Sequence, residues 1–205
     1  MRISRIVTFT AAVVLFGAGC AKLGFPPAAS PSSVTTTPAA PLAPPNLTPR
    51  NATSTMRLTS KAFKHGKAIP AKYTCDGKNI SPPLAIAQVP SSTKSLVLIM
   101  EDPDVPSYTR VKVWDHWLAF NIPPDTKTIA EGIQPPGTRG AGTGGGLTYS
   151  GPCPPDREHR YFFKLYALDA MLDLPQSATK VQVEQAMSNH VIEETELMGT
   201  YLKKK

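Results

Sequence analysis

Asp102, His116 and His159 are the side chains of this 205-residue sequence whose types and settings suit ligand or acid–base chemistry. Asp102 opens Asp102-Pro103-Asp104-Val105-Pro106, and His116 lies within Trp114-Asp115-His116-Trp117. His159 closes a loop that begins Tyr149-Ser150-Gly151-Pro152-Cys153-Pro154-Pro155. Imidazole N–H groups beside loop backbone N–H groups make a small anion site. A carboxylate next to them fixes an imidazole tautomer or accepts from an ammonium group of the same ligand. Taken singly, each residue has a plainer explanation: a histidine between tryptophans packs, and an aspartate before proline closes a turn. Together they point to a phosphate with a short polar head. Metal-ligand spacings such as His-x-His, His-Glu-x-x-His and Cys-x-x-Cys are missing, so no metal or cofactor is expected. Gly-x-Ser-x-Gly is missing too, so no serine elbow is expected.

These residues need a scaffold that brings distant loops together. Three prolines and a glycine restrict the backbone ahead of His159, so that loop should be stiff and lose little entropy on binding. Residues 96–100 are apolar throughout and read as a buried strand ending at the acidic turn. Residues 113–122, 161–168 and 195–201 read as further strands, and 56–59 and 62–64 as short ones. Asp76-Gly77 marks a turn, and Ser81-Pro82-Pro83 forbids helix. Six glycines within residues 137–146 leave that segment little intrinsic order. One late helix is expected at about 180–191, with Thr179 and Gln182 as a capping box and Val183, Ala186, Met187, His190 and Val191 at helical spacing. The expected fold is mostly β: a β-sandwich with Greek-key-type connections, this one helix, and short peripheral helical turns.

Composition divides the chain. Arg2 and Arg5, the apolar residues 6–16 and the small residues up to Gly19 describe a signal peptide at 1–19. Cys20 after Ala18-Gly19 resembles the lipobox of bacterial lipoproteins, in which that cysteine carries acyl chains; the alternative is a simple cleaved signal. Residues 20–56 are rich in Pro, Ser and Thr and read as a lipidated cysteine followed by a disordered tether. The domain follows at 57–205. Localisation would be the bacterial cell envelope, lipid-anchored, with the domain outside the cytoplasm. The formal charge of +7 comes without a basic stripe interleaved with aromatics, so no nucleic acid is expected. With Cys20 acylated, Cys75 and Cys153 remain as an even pair in an oxidising compartment and are expected to form a disulfide; two separate buried thiols are the alternative.

The Asp102–Pro106, Trp114–Trp117 and Gly151–Pro155 motifs, with His159-Arg160-Tyr161, resemble the signatures of phosphatidylethanolamine-binding proteins. Cys75-Asp76-Gly77 with Asn79 and Ser81–Leu84 is similar to the bacterial Raf-kinase-inhibitor-like branch. The resemblance runs from about 57 to about 202. It implies a β-sandwich with a small anion pocket at one end, lined by Asp102, His116, Gly151 and His159, with Tyr149 beside it. His116 and His159 would donate N–H bonds, Gly151 would let the backbone approach the anion, and Asp102 would orient a histidine or meet an ammonium. The sequence departs from the family at Arg157, where glycine is common, at 84–87, which lack a tryptophan, and before Leu147, where Asn and Phe are usual. The expected function is a membrane-tethered, non-catalytic binding protein for a small anion or phospholipid head group. The alternatives are a protein-interaction module inhibiting an envelope protease or kinase, and a small-molecule hydrolase using Asp102 and a histidine.

Overall fold

The computed structural model describes residues 55–204. They run β1 (Arg57–Ser60), β2 (Lys67–Ala68), a 3-10 turn (Ala71–Tyr73), β3 (Leu84–Ala87), β4 (Ser95–Asp102), β5 (Trp114–Ile122), β6 (Thr128–Ile129), β7 (Thr138–Arg139), β8 (His159–Leu168), α1 (Lys180–Met187) and β9 (Val191–Tyr201). The expected signal peptide, Cys20 and all but the last two tether residues lie outside the described residues. Those two, Thr55 and Met56, belong to the fold. Met56 is buried, and its N–H donates to Glu193 Oε1 at 2.6 Å, as the Thr55 N–H also does.

A strand that is apolar on both faces has to be covered on both. All eight residues of β4 are buried. It lies inside a six-stranded sheet of order β2-β9-β8-β4-β5-β7, and a three-stranded sheet, β1-β3-β6, covers one face. Leu96, Leu98 and Met100 point into the core between the sheets, with Leu58, Ile86, Trp117, Tyr161 and Phe163. Val97 and Ile99 point the other way, into a second core closed by Val183 and Met187 of α1. Both periodicities are therefore those of a two-sheet sandwich with one helix on its outer face, the fold expected above.

The differences from expectation have local causes. The helix keeps its capping box at Thr179 and Gln182 but ends at Met187, not near 191. Asn189 adopts a positive φ of 67°, and the β-branched Val191 and Ile192 join β9, which starts four residues earlier than expected. Residues 62–64 form no strand. Phe63 instead drops its ring against Phe163, centroids 5.9 Å apart, and the chain pairs with β9 only at Lys67–Ala68. The Gly-rich segment is more ordered than its composition suggests. β7 pairs with β5, and Gly140, Ala141, Gly142 and Thr143 all donate backbone hydrogen bonds. Gly137 is required there: its φ is +102°, and a Cβ would lie 2.6 Å from the Phe120 carbonyl oxygen.

Candidate functional site

Antiparallel pairing sets the end of one strand beside the start of the next. β4 pairs with both β5 and β8 in this sense, with Asp102 opposite Trp114 and Glu101 opposite Phe162. The end of β4 and the starts of β5 and β8 therefore meet at one end of the sheet, bringing Asp102, His116 and His159 together. They line a cavity of about 300 Å³ with Ser150, Gly151 and Tyr161. Val105, Pro106, Trp114, Pro154 and Pro155 form its apolar walls.

His116 owes its position to a β-bulge. Met100 faces Trp117 and Glu101 faces Asp115, so His116 is the extra residue with no partner on β4. A bulge re-aims a side chain, here toward the cavity. The bulged residue grips the loop twice: Ser150 N–H donates to the His116 carbonyl at 3.0 Å, and His116 Nδ1 donates to the Ser150 carbonyl at 2.7 Å. With Nδ1 carrying the hydrogen, neutral His116 offers only a lone pair at Nε2. Burial holds its pKa below the ordinary histidine value, against the opposing Ser150 carbonyl and the charges of Asp102 and Asp115.

His159 is held differently. Its Nδ1 lies 2.7 Å from Asp102 Oδ2 and its Nε2 lies 2.8 Å from Asp156 Oδ1. Both partners are acceptors, so both ring nitrogens are spent on carboxylates and neither N–H is left for a ligand. That corrects the donor role expected of His159; Asp102, expected to orient a histidine or meet an ammonium, contacts this ring. The other Asp102 oxygen accepts from the Asp104 N–H at 2.7 Å. Asp104 is in turn held by Arg160, whose hydrogen bonds bring its pKa down to about 2.

Gly151 lines the cavity, but its N–H donates away from it, to Asn79 Oδ1 at 2.7 Å. A Cβ at this position would lie 2.5 Å from the Tyr73 carbonyl oxygen and 2.6 Å from Asn79 Oδ1. The glycine is needed for packing of its loop on residues 73–79, rather than for backbone approach to a ligand. Tyr149, expected at the pocket, points into the core and is not among the lining residues. Its hydroxyl donates to the Tyr73 carbonyl at 2.7 Å and its ring meets Trp117 edge-on. Cys75 and Cys153 are joined in a disulfide that ties the same two loops, and Cys75 N–H donates to the Pro152 carbonyl at 3.1 Å.

Sequence reasoning missed Asp156 and Tyr161 as site residues. Tyr161 follows His159 by two on β8, and that period places both on one face. Its side chain is buried beside Asp102, and burial, then the Asp102 carboxylate, push its pKa up. Asp156 carried no signal beyond its place three residues before His159. Arg157, the departure noted above, bonds Asp156 and the Asp104 carbonyl at the mouth.

Comparison with known proteins returns a consistent set. The family described as phosphatidylethanolamine-binding protein matches residues 59–202. A UPF0098 protein of Chlamydia trachomatis is 50% identical over 149 residues, covering 72% of this chain and 99% of its own length. One from Methanothermobacter thermautotrophicus is 49% identical over 152 residues, covering 71% and 98%. Among solved structures, a putative phosphatidylethanolamine-binding protein homologue from Chlamydia trachomatis superposes with a TM-score of 0.72 at 48% identity, covering 74% of this chain and all of the other. E. coli YbcL, described as a new member of the mammalian family, superposes with a TM-score of 0.66 at 27% identity, covering 73% and 99%.

Proposed function

Since this chain belongs to the phosphatidylethanolamine-binding protein family, we propose that it is a non-catalytic binding protein whose cavity takes a small anion, either phosphate or the head group of a phospholipid. The observation that carries this reading is that His116 and Tyr161, their rings edge-on with centroids 5.3 Å apart, share one cavity wall. Because His116 Nδ1 is already committed to the Ser150 carbonyl, a proton added to the ring lands on Nε2 and creates a donor. Tyr161, which lines the same cavity, carries a hydroxyl for the same oxyanion. Asp102 and Asp156 hold the His159 ring between them.

Tethering belongs to the same proposal. The charged, apolar and small-residue segments before Cys20 supply an export signal, and acylation of Cys20 would supply the anchor. The disulfide supports an oxidising compartment. The domain would then work in the cell envelope, lipid-anchored and outside the cytoplasm.

Anion binding should be linked to protonation of His116. Burial keeps the ring neutral in the unliganded protein below its ordinary pKa, and a bound anion favours the charged form. Affinity therefore rises as pH falls, down to the pKa of His116 in the unliganded protein. Calorimetry with sulfate, whose charge is constant over this range, should show tighter binding near about pH 5.5 than near about pH 8. Inorganic phosphate should compete, and His116→Ala should abolish the pH dependence. Equal sulfate affinity at the two pH values would refute the histidine donor.

A further inference from the structure

Two shallow clefts adjoin the cavity and share its walls. Val105 and Pro106 divide it from one, which continues over Ser107, Val111 and Lys112. Pro154 and Pro155 divide it from the other, which continues to Leu202, Lys203 and Lys204. Arg157 lines both clefts. The cavity mouth is thus ringed by aliphatic side chains and long cations.

The loop between β4 and β5 adds the most exposed aromatic among the described residues. Tyr108 is 78% exposed, between Ser107 of one cleft and Thr109 of the cavity wall. From residue 105 to residue 113 the loop carries Arg110 and Lys112 and no carboxylate. Leu202, on the other side of the mouth, is 58% exposed. Most acids nearby are already engaged: Asp104 by Arg160, Asp156 by His159 and Arg157, and Asp76 by the Tyr201 hydroxyl and the Lys204 N–H. Glu158 is the exposed acid beside Arg157.

We propose that this rim docks on the surface of an anionic lipid bilayer, with Tyr108 inserted among the head groups and Arg110, Lys112, Lys203 and Lys204 against the phosphates. A phenol with an apolar body and a polar tip suits the membrane–water boundary, and so do cations on long alkyl stems. Charge complementarity selects the bilayer as the occupant: a broad anionic surface meets cations on both sides of the mouth at once. The chain's length agrees, because Thr55 is separated from the proposed anchor at Cys20 by at most about 120 Å of extended backbone. Docked this way, the cavity opens onto lipid head groups. That last point rests on the anion-pocket reading; the docking does not.

The test uses the chain from residue 20 onward with Cys20→Ser, which removes the acyl anchor. It is sedimented with vesicles of phosphatidylcholine alone or mixed with phosphatidylglycerol. Partition onto the anionic vesicles alone is expected, weakening as salt is added. Each surface cation contributes about fivefold, so R110Q/K112Q should bind about 25-fold more weakly. Tyr108→Ser should weaken binding too, with no change in thermal midpoint, since all three side chains are exposed. Equal partition onto neutral and anionic vesicles would overturn the proposal, as would an R110Q/K112Q variant that binds like its parent. A parent that does not partition at all would also overturn it, leaving the loop to a protein partner. Sulfate titration of the same proteins separates the two readings. Docking without sulfate binding defeats the pocket and keeps the docking surface; sulfate binding without docking does the reverse.

Discussion

Replacing both Cys75 and Cys153 with serine should cost about 3 kcal/mol of folding stability. The disulfide joins residues 78 apart in sequence. Closing a loop of that length removes about 15 cal/mol/K of unfolded-chain entropy, or about 4.5 kcal/mol at 25 °C, and measured losses generally fall somewhat short of this limit. Both cysteines are exposed, so serine leaves no buried cavity to add to the loss. The folded loops should stay together through three remaining contacts: Tyr149 on the Tyr73 carbonyl, Gly151 on Asn79, and Cys75 N–H on the Pro152 carbonyl. The effect should therefore lie in the unfolded state. Urea unfolding of the oxidised parent, the reduced parent and C75S/C153S measures it. The reduced parent and the variant should coincide, about 6–12 °C below the oxidised parent in Tm. Their m-values should be larger, because an unlinked unfolded chain exposes more surface. A variant within about 1 kcal/mol of the oxidised parent would refute the chain-entropy argument.

Gly151→Ala places a methyl group against the Tyr73 carbonyl, which cannot retreat without losing its bond from Tyr149. A loss of about 1–3 kcal/mol is expected in urea, and an unchanged midpoint would show that the loop yields freely. Lys180 bridges Glu101 at 2.9 Å and Asp115 at 2.7 Å, and all three side chains are largely buried. Lys180→Met removes the cation that pairs with largely buried Asp115 and should cost about 2–4 kcal/mol, read by chemical denaturation at neutral pH. Burial alone would raise the Glu101 pKa, but Lys164 and Lys180 bring it below its ordinary value. A carboxylate with a depressed folded pKa contributes stability above its unfolded pKa and loses it as pH falls through the folded one. The parent's advantage over Lys180→Met should accordingly shrink on acidification, and an advantage constant down to acid unfolding would contradict this.

The fold was legible where a residue's local period coincides with its tertiary environment. Residues 96–100 read as buried because both faces of β4 are covered. The Thr179 cap was legible because the capping box is local in sequence. The helix end was not, because His190 and Val191 extend the helical spacing although Val191 pairs with Leu168 on β8. Likewise, the motifs located Asp102, His116 and His159 but could not show how their hydrogen-bonding capacity is divided. His159 was expected to face a ligand, yet a contact with Asp156 and one with Asp102, 57 positions away, consume both its nitrogens. The bulge that turns His116 depends on register with β4, which no single strand's composition records. Tyr149 fits the apolar period of either a pocket wall or a core, and packing against Trp117 decides for the core.

The strand order also constrains how the domain is made. β4 is flanked by β5, which follows it closely, and by β8, whose Leu168 pairs with Ser95 across more than a third of the chain. A growing polypeptide therefore carries the most apolar segment of the sheet, with one hydrogen-bonding edge unpaired, until residue 168 has emerged. Pairings this distant form slowly, on the scale of milliseconds to seconds. Through that interval the unpaired edge is open to association with other chains.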